Sequence, residues 1–78
     1  MTLKEPYNIP AFLNQVKSCN GEVTFTTDEG DILNLKSILS TYIFATLIGN
    51  PELIRNGQIF CTEENDYKLL ASYLMKTI

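Results

Sequence analysis

Few residues in this 78-residue chain have the type and spacing to do chemistry. Two cysteines, Cys19 and Cys61, are the only thiols, and there is no histidine. The lack of histidine removes the commonest general base and the commonest metal ligand together. Ser-His-Asp and Cys-His nucleophile systems cannot be assembled, and a zinc site would need two cysteines supplemented by carboxylates. Lys36 precedes Ser37, a pairing that can serve as base and nucleophile. A Ser at that place is explained better as a helix cap, and Lys36 has no neighbouring cation to depress its pKa. Cys61 precedes a helix start, where a thiolate could be favoured, but Glu63 and Glu64 oppose it. Cys19 sits at a helix C-terminus, the wrong end of the dipole for a thiolate. Both cysteines are expected to be reduced and structural.

Two acidic clusters could bind a cation or exchange a proton. Asp28, Glu29 and Asp31 lack the spacing of a calcium loop and read as a solvated turn. Glu63, Glu64 and Asp66 read as charges that complement the first turn of a helix. The four glycines are isolated, so there is no phosphate-cradling loop. No catalytic residue, metal ligand or cofactor is expected.

The aromatic residues give a different kind of candidate. Most of Tyr7, Tyr42, Tyr67, Tyr73, Phe12, Phe25 and Phe44 should be core. Phe60 depends on register. If Ile59 and Cys61 point inward, Phe60 stands on the open face of a sheet beside Thr24, Thr26 and Gln58, where it would mark an interaction surface. The opposite register buries it, and the strand is too short for the pattern to choose.

These residues need elements to hold them. Residues 1 to 7 read as an extended lead-in. Asn8 caps a helix with Pro10 in its first turn and Ile9, Phe12, Leu13 and Val16 at helical spacing, ending at Asn20-Gly21. Glu22 to Thr26 alternates as a half-buried strand, with Val23 and Phe25 on one side. Asp28 to Asp31 is a turn, with Gly30 available for positive φ, and Ile32 to Leu35 returns as the second strand of a hairpin. Ser37 caps a helix running to about Ile48. Apolar residues on nearly every face make it the expected central, most buried helix. Gly49-Asn50-Pro51 stops it, and Pro51 to Ile54 adds a helical turn. Gln58 to Cys61 is a third strand. Thr62 caps a last helix whose buried stripe is Tyr67, Leu70, Ala71 and Leu74. The order α-β-β-α-β-α predicts one α+β domain over residues 1–78. It would be a two-layer sandwich, with a three-stranded sheet and three helices on one face.

Composition bounds the function. Six basic residues against nine acidic ones give a net charge of −3, and no two cations are adjacent. A phosphate backbone or an anionic membrane calls for a basic stripe, so nucleic acid and membrane are not the expected partners. The first residues lack the apolar run of a signal peptide, and the longest apolar-rich stretch, residues 38–48, is too short to span a bilayer. A cytoplasmic location follows as the expectation.

Three stretches carry a family resemblance: Cys19-Asn20-Gly21-Glu22-Val23, Glu29 through Ser37, and Leu39-Ser40 followed one residue later by Tyr42-Ile43-Phe44. Together they resemble a group of small, largely uncharacterised proteins from gut Firmicutes such as clostridia, over most of the chain. Some of that group carry a polyA polymerase label. A nucleotidyltransferase needs a much longer chain and metal-binding carboxylates on a strand. The resemblance implies a bacterial, intracellular setting and supplies no site residues.

The expected function is a non-enzymatic protein-interaction or regulatory module, a homo-oligomer or the partner of another protein. A small core gains from association, and a three-stranded sheet leaves edges unpaired. The alternatives are a nucleic-acid-associated factor using Lys36, Arg55, Tyr42 and Phe60, and a minimal enzyme using Cys61 or Lys36.

Overall fold

The computed structural model of the chain describes residues 1–5 and 7–76, and, of Ile48 and Pro51, the backbone alone. Pro6, in the expected lead-in, lies outside the described residues. Helix α1 (Ile9–Val16) begins as the sequence predicts. The Asn8 side chain accepts from the Ala11 N–H, Pro10 sits in the first turn, and Ile9, Phe12 and Val16 are buried. It ends earlier than expected, with Lys17 at its C-cap, and a turn carries the chain to Asn20 and Gly21.

Strands β2 (Val23–Thr26) and β3 (Ile32–Asn34) form the hairpin, with Phe25 opposite Leu33. Its tip closes through Thr27. The Thr27 N–H donates to the Asp31 carbonyl at 2.8 Å, and the Thr27 hydroxyl oxygen accepts from the Asp31 N–H at 3.1 Å. Gly30 has φ 95°, which a side chain would resist. Strand β4 (Gln58–Cys61) pairs antiparallel with β2, giving the order β3-β2-β4. The third strand therefore lies beside the hairpin, as expected.

A second, two-stranded antiparallel sheet joins β1 (Thr2–Leu3) to β5 (Leu74–Met75). The Met1 carbonyl accepts from the Ile59 N–H at 2.6 Å, which ties the first residues to the edge of β4. The expected six-element order is thus corrected. The described residues form four α-helices and two small antiparallel sheets in a compact α+β arrangement with a radius of gyration of 11.1 Å.

The last helix is the clearest departure. Helix α4 (Glu64–Leu69) stops after six residues, and a 3₁₀ turn (Ala71–Tyr73) leads into β5. Leu70 and Leu74 are buried as expected, but Ala71 is exposed. Leu74 is buried from a strand because its backbone pairs with Leu3, a partner that the helical spacing of Leu70 and Leu74 does not reveal. Thr62 is not the cap. Glu63 holds that position, and the Thr62 hydroxyl oxygen instead accepts from the Glu22 N–H at 2.9 Å.

The core gathers Phe12, Val16, Val23, Phe25, Phe44, Ile54, Ile59 and Leu70, all essentially inaccessible to solvent. The Phe25 and Phe44 rings meet edge to face, with centroids 5.0 Å apart. Helix α3 (Pro51–Asn56) ends at Gly57, where the Phe25 ring occupies the space a Cβ would need. A glycine is required there for packing.

Candidate functional site

The second helix, α2 (Ile38–Thr46), overturns the expectation that it is the most deeply buried one. Phe44 is its only buried residue, whereas Ile38 is 77% exposed, Leu39 70%, Tyr42 69% and Ile43 44%. At about 100° per residue, Ile38, Leu39 and Tyr42 share an arc of about 100° pointing away from Phe44. Ser37 sits at the N-cap without a side-chain bond to the helix, while the Thr41 hydroxyl donates to the Leu35 carbonyl at 3.0 Å. From Ser37 to Pro51 no residue carries a charge. The outer face of α2 is therefore an uncharged apolar surface that no other described residue covers.

A recess flanks this helix on each side. The first, about 550 Å³, is lined by Leu13, Lys17, Leu35, Lys36, Ile38 and Tyr42, with Thr41 at its side. The second, about 330 Å³, is lined by Asp31, Ile32, Leu33, Ile43, Leu47 and Leu53, with Thr27 at its rim. Thr41 and Ile43 lie about 60° and 100° to opposite sides of Phe44 on the helix, so the recesses lie on opposite flanks of α2. One flank carries two lysines. The other carries Asp31, at the base of the turn that also holds Asp28 and Glu29.

The sheet residues expected to mark an interaction surface share one face. Ile59 and Cys61 are buried, so Phe60 points outward at 57% exposure and stands opposite Thr24, while Gln58 stands opposite Thr26. Ile32, on the far side of Thr26, extends this face and is 69% exposed.

The residues of the nucleic-acid reading are not all brought together. Lys36 and Tyr42 share the first recess, joined by Lys17, which the sequence reading did not single out. Arg55 instead faces Glu5 at 3.7 Å, an exposed pair of little energetic weight.

Both thiols are pushed toward their protonated forms. Burial, then Cys19 and Asp66, pushes the Cys61 thiol up to about 11. Burial, then Asp66, raises Cys19, partly offset by Lys36. A thiol in that state is a poor nucleophile at neutral pH. The Lys36 ammonium donates to the Cys19 carbonyl rather than to Ser37. Among the described residues, no group of three or more His, Cys, Asp or Glu side chains is placed to hold a metal ion.

Asp66 has a role the sequence did not signal. Its carboxylate is fully buried and accepts from the Asn20 N–H at 3.0 Å and the Gly21 N–H at 2.8 Å. An acidic residue in a helix's first turn is ordinary. Only the folded chain shows that this one latches the turn after α1 to α4.

Comparison of the chain with family models, with curated proteins and with solved structures gave no match. No helix among the described residues is long and apolar enough to cross a membrane.

Proposed function

We propose that this chain is a non-enzymatic protein-interaction module, acting in the cytoplasm, that self-associates through the outer face of α2. The observation that carries the reading is the cluster of Ile38, Leu39, Tyr42 and Ile43, exposed side by side on a helix without charge. Contiguous apolar patches on a small protein mark contact surfaces. A second copy is the occupant that fits, because a face without charge can meet its own copy without like-charge repulsion, in a protein that otherwise carries −3. In this reading the helices form one layer against the sheet face that carries Phe25 and Ile59, and the sheet forms the other. The opposite face, with Phe60, Thr24, Thr26 and Gln58, is then a second contact surface.

Sedimentation equilibrium from micromolar to millimolar concentration tests the reading. A reversible rise in mass with concentration supports it, and a strict monomer at 1 mM refutes it. Lys17, Lys36 and Tyr42 in one recess keep nucleic acid as a second reading. Salt-dependent binding of single-stranded RNA at low ionic strength would favour that reading, and no binding there would end it.

A further inference from the structure

The flanks of α2 bear opposite charges, and this restricts how two copies can meet. On one flank, Lys17 and Lys36 line a recess containing Leu13, Leu35, Ile38 and Tyr42, with no acidic residue among its lining. On the other flank, Asp31 and the exposed Ile32 border the second recess, and the turn projects Asp28 and Glu29 as well. Asp28 is held by the Asn56 amide at 3.4 Å. Glu29 and Lys17 are exposed, and neither side chain makes a hydrogen bond or ion pair among the described residues.

A two-fold axis lies in the plane of the interface it creates, and every contact across it occurs twice. If the α2 faces meet, one set of orientations places lysine flank on lysine flank and acidic turn on acidic turn. The other set places each lysine flank against the partner's acidic turn. Only the second set gives attraction at both symmetry-related positions.

Resting on the self-association proposed above, we infer that the dimer is reciprocal: the acidic turn Asp28–Asp31 of each copy docks at the Lys17/Lys36 recess of the other, across the shared α2 face. The apolar face supplies the bulk of the association, and the charges select its orientation.

Charge reversal with mixing is the test, because isologous pairing makes an unusual prediction. Lys17→Glu and Glu29→Lys alter exposed side chains that hold nothing within the monomer. Each variant alone should dimerise on the order of tenfold more weakly than the parent at low ionic strength, since two attractions become two repulsions. Mixed one to one, they should recover parental affinity. In the mixed dimer the reversed charge at position 17 of one copy meets the reversed charge at position 29 of the other, and at the symmetry-related contact the unaltered Lys17 meets the unaltered Glu29. The chain carrying both reversals should self-associate like the parent. The differences should fade above about 0.5 M salt, where charges are screened within a few ångströms. Variants that dimerise like the parent, or a mixture no tighter than its components, would overturn the reciprocal arrangement while leaving self-association through α2 in place. A parent chain that stays monomeric throughout would overturn both.

Discussion

Leu39→Ala separates the interface from the fold. Leu39 is 70% exposed on α2, so in the monomer its side chain contributes little to the core. Fully burying a leucine is worth about 1.5–3 kcal/mol, and the exposed share of Leu39 corresponds to roughly 1–2 kcal/mol per copy. A symmetric dimer loses that contribution twice, roughly 2–4 kcal/mol in all, which converts to a dissociation constant raised between about thirtyfold and several hundredfold. Monomer stability should change by no more than about 0.5 kcal/mol, because the site is exposed and alanine is the best helix former. Sedimentation equilibrium measures the first quantity. Urea denaturation below the dimer's dissociation constant measures the second, which avoids the stabilisation that association itself confers. Phe44→Ala provides the contrast. It removes a ring that packs on Phe25 and Phe12 and should cost about 3–5 kcal/mol of monomer stability. If Leu39→Ala leaves the dissociation constant unchanged, or destabilises the monomer as Phe44→Ala does, α2 does not present this face to a second copy.

Asp66→Asn would place an amide where two backbone N–H groups require an acceptor on each oxygen. The loss should be about 1.5–3 kcal/mol by urea denaturation, and a change below a few tenths would refute the latch. The Cys61 thiol, raised from 9.0 to about 11 by burial, should resist a thiol reagent in the native protein at pH 8 and react once the protein is unfolded. The same shift sets a stability trend. The unfolded thiol loses its proton at lower pH than the folded one, so above pH 9 the unfolded state binds fewer protons and stability falls as pH rises toward 11. Cys61→Ser should flatten this alkaline decline, and an unchanged pH profile would assign the decline to another group. Phe60→Ala, on the outer sheet face opposite Thr24, should cost less than about 1 kcal/mol of monomer stability in a urea titration. A larger loss would mean that the ring is packed within the monomer.

Local signals in the sequence read correctly where they were sufficient. Asn8 and Pro10 start α1 through a bond three residues away, and Gly30 supplies the one positive φ the hairpin turn uses. The alternation at Val23 and Phe25 identifies β2 and its inner face. Phe60 needed more, because a four-residue strand alternates equally well in either register. Its outward direction is fixed by pairing with Thr24, 36 positions earlier in the chain. The exposure of α2 was concealed for a physical reason. Apolar residues on all sides are the pattern of a buried helix, and the pattern does not distinguish burial by the chain's own core from burial by a second molecule. Strand β5 and the Asp66 latch were illegible because each is defined by partners distant in sequence, Thr2–Leu3 in one case and Asn20–Gly21 in the other.

Isoleucine methyl NMR across a dilution series tests the central claim most directly, since isoleucines occur both on the exposed helix and in the core. The δ-methyl signals of Ile38 and Ile43 should move with concentration along a single binding curve, while those of the buried Ile54 and Ile59 stay fixed. Methyl signals at Ile38 and Ile43 that do not move up to millimolar concentration would contradict an α2-mediated self-association.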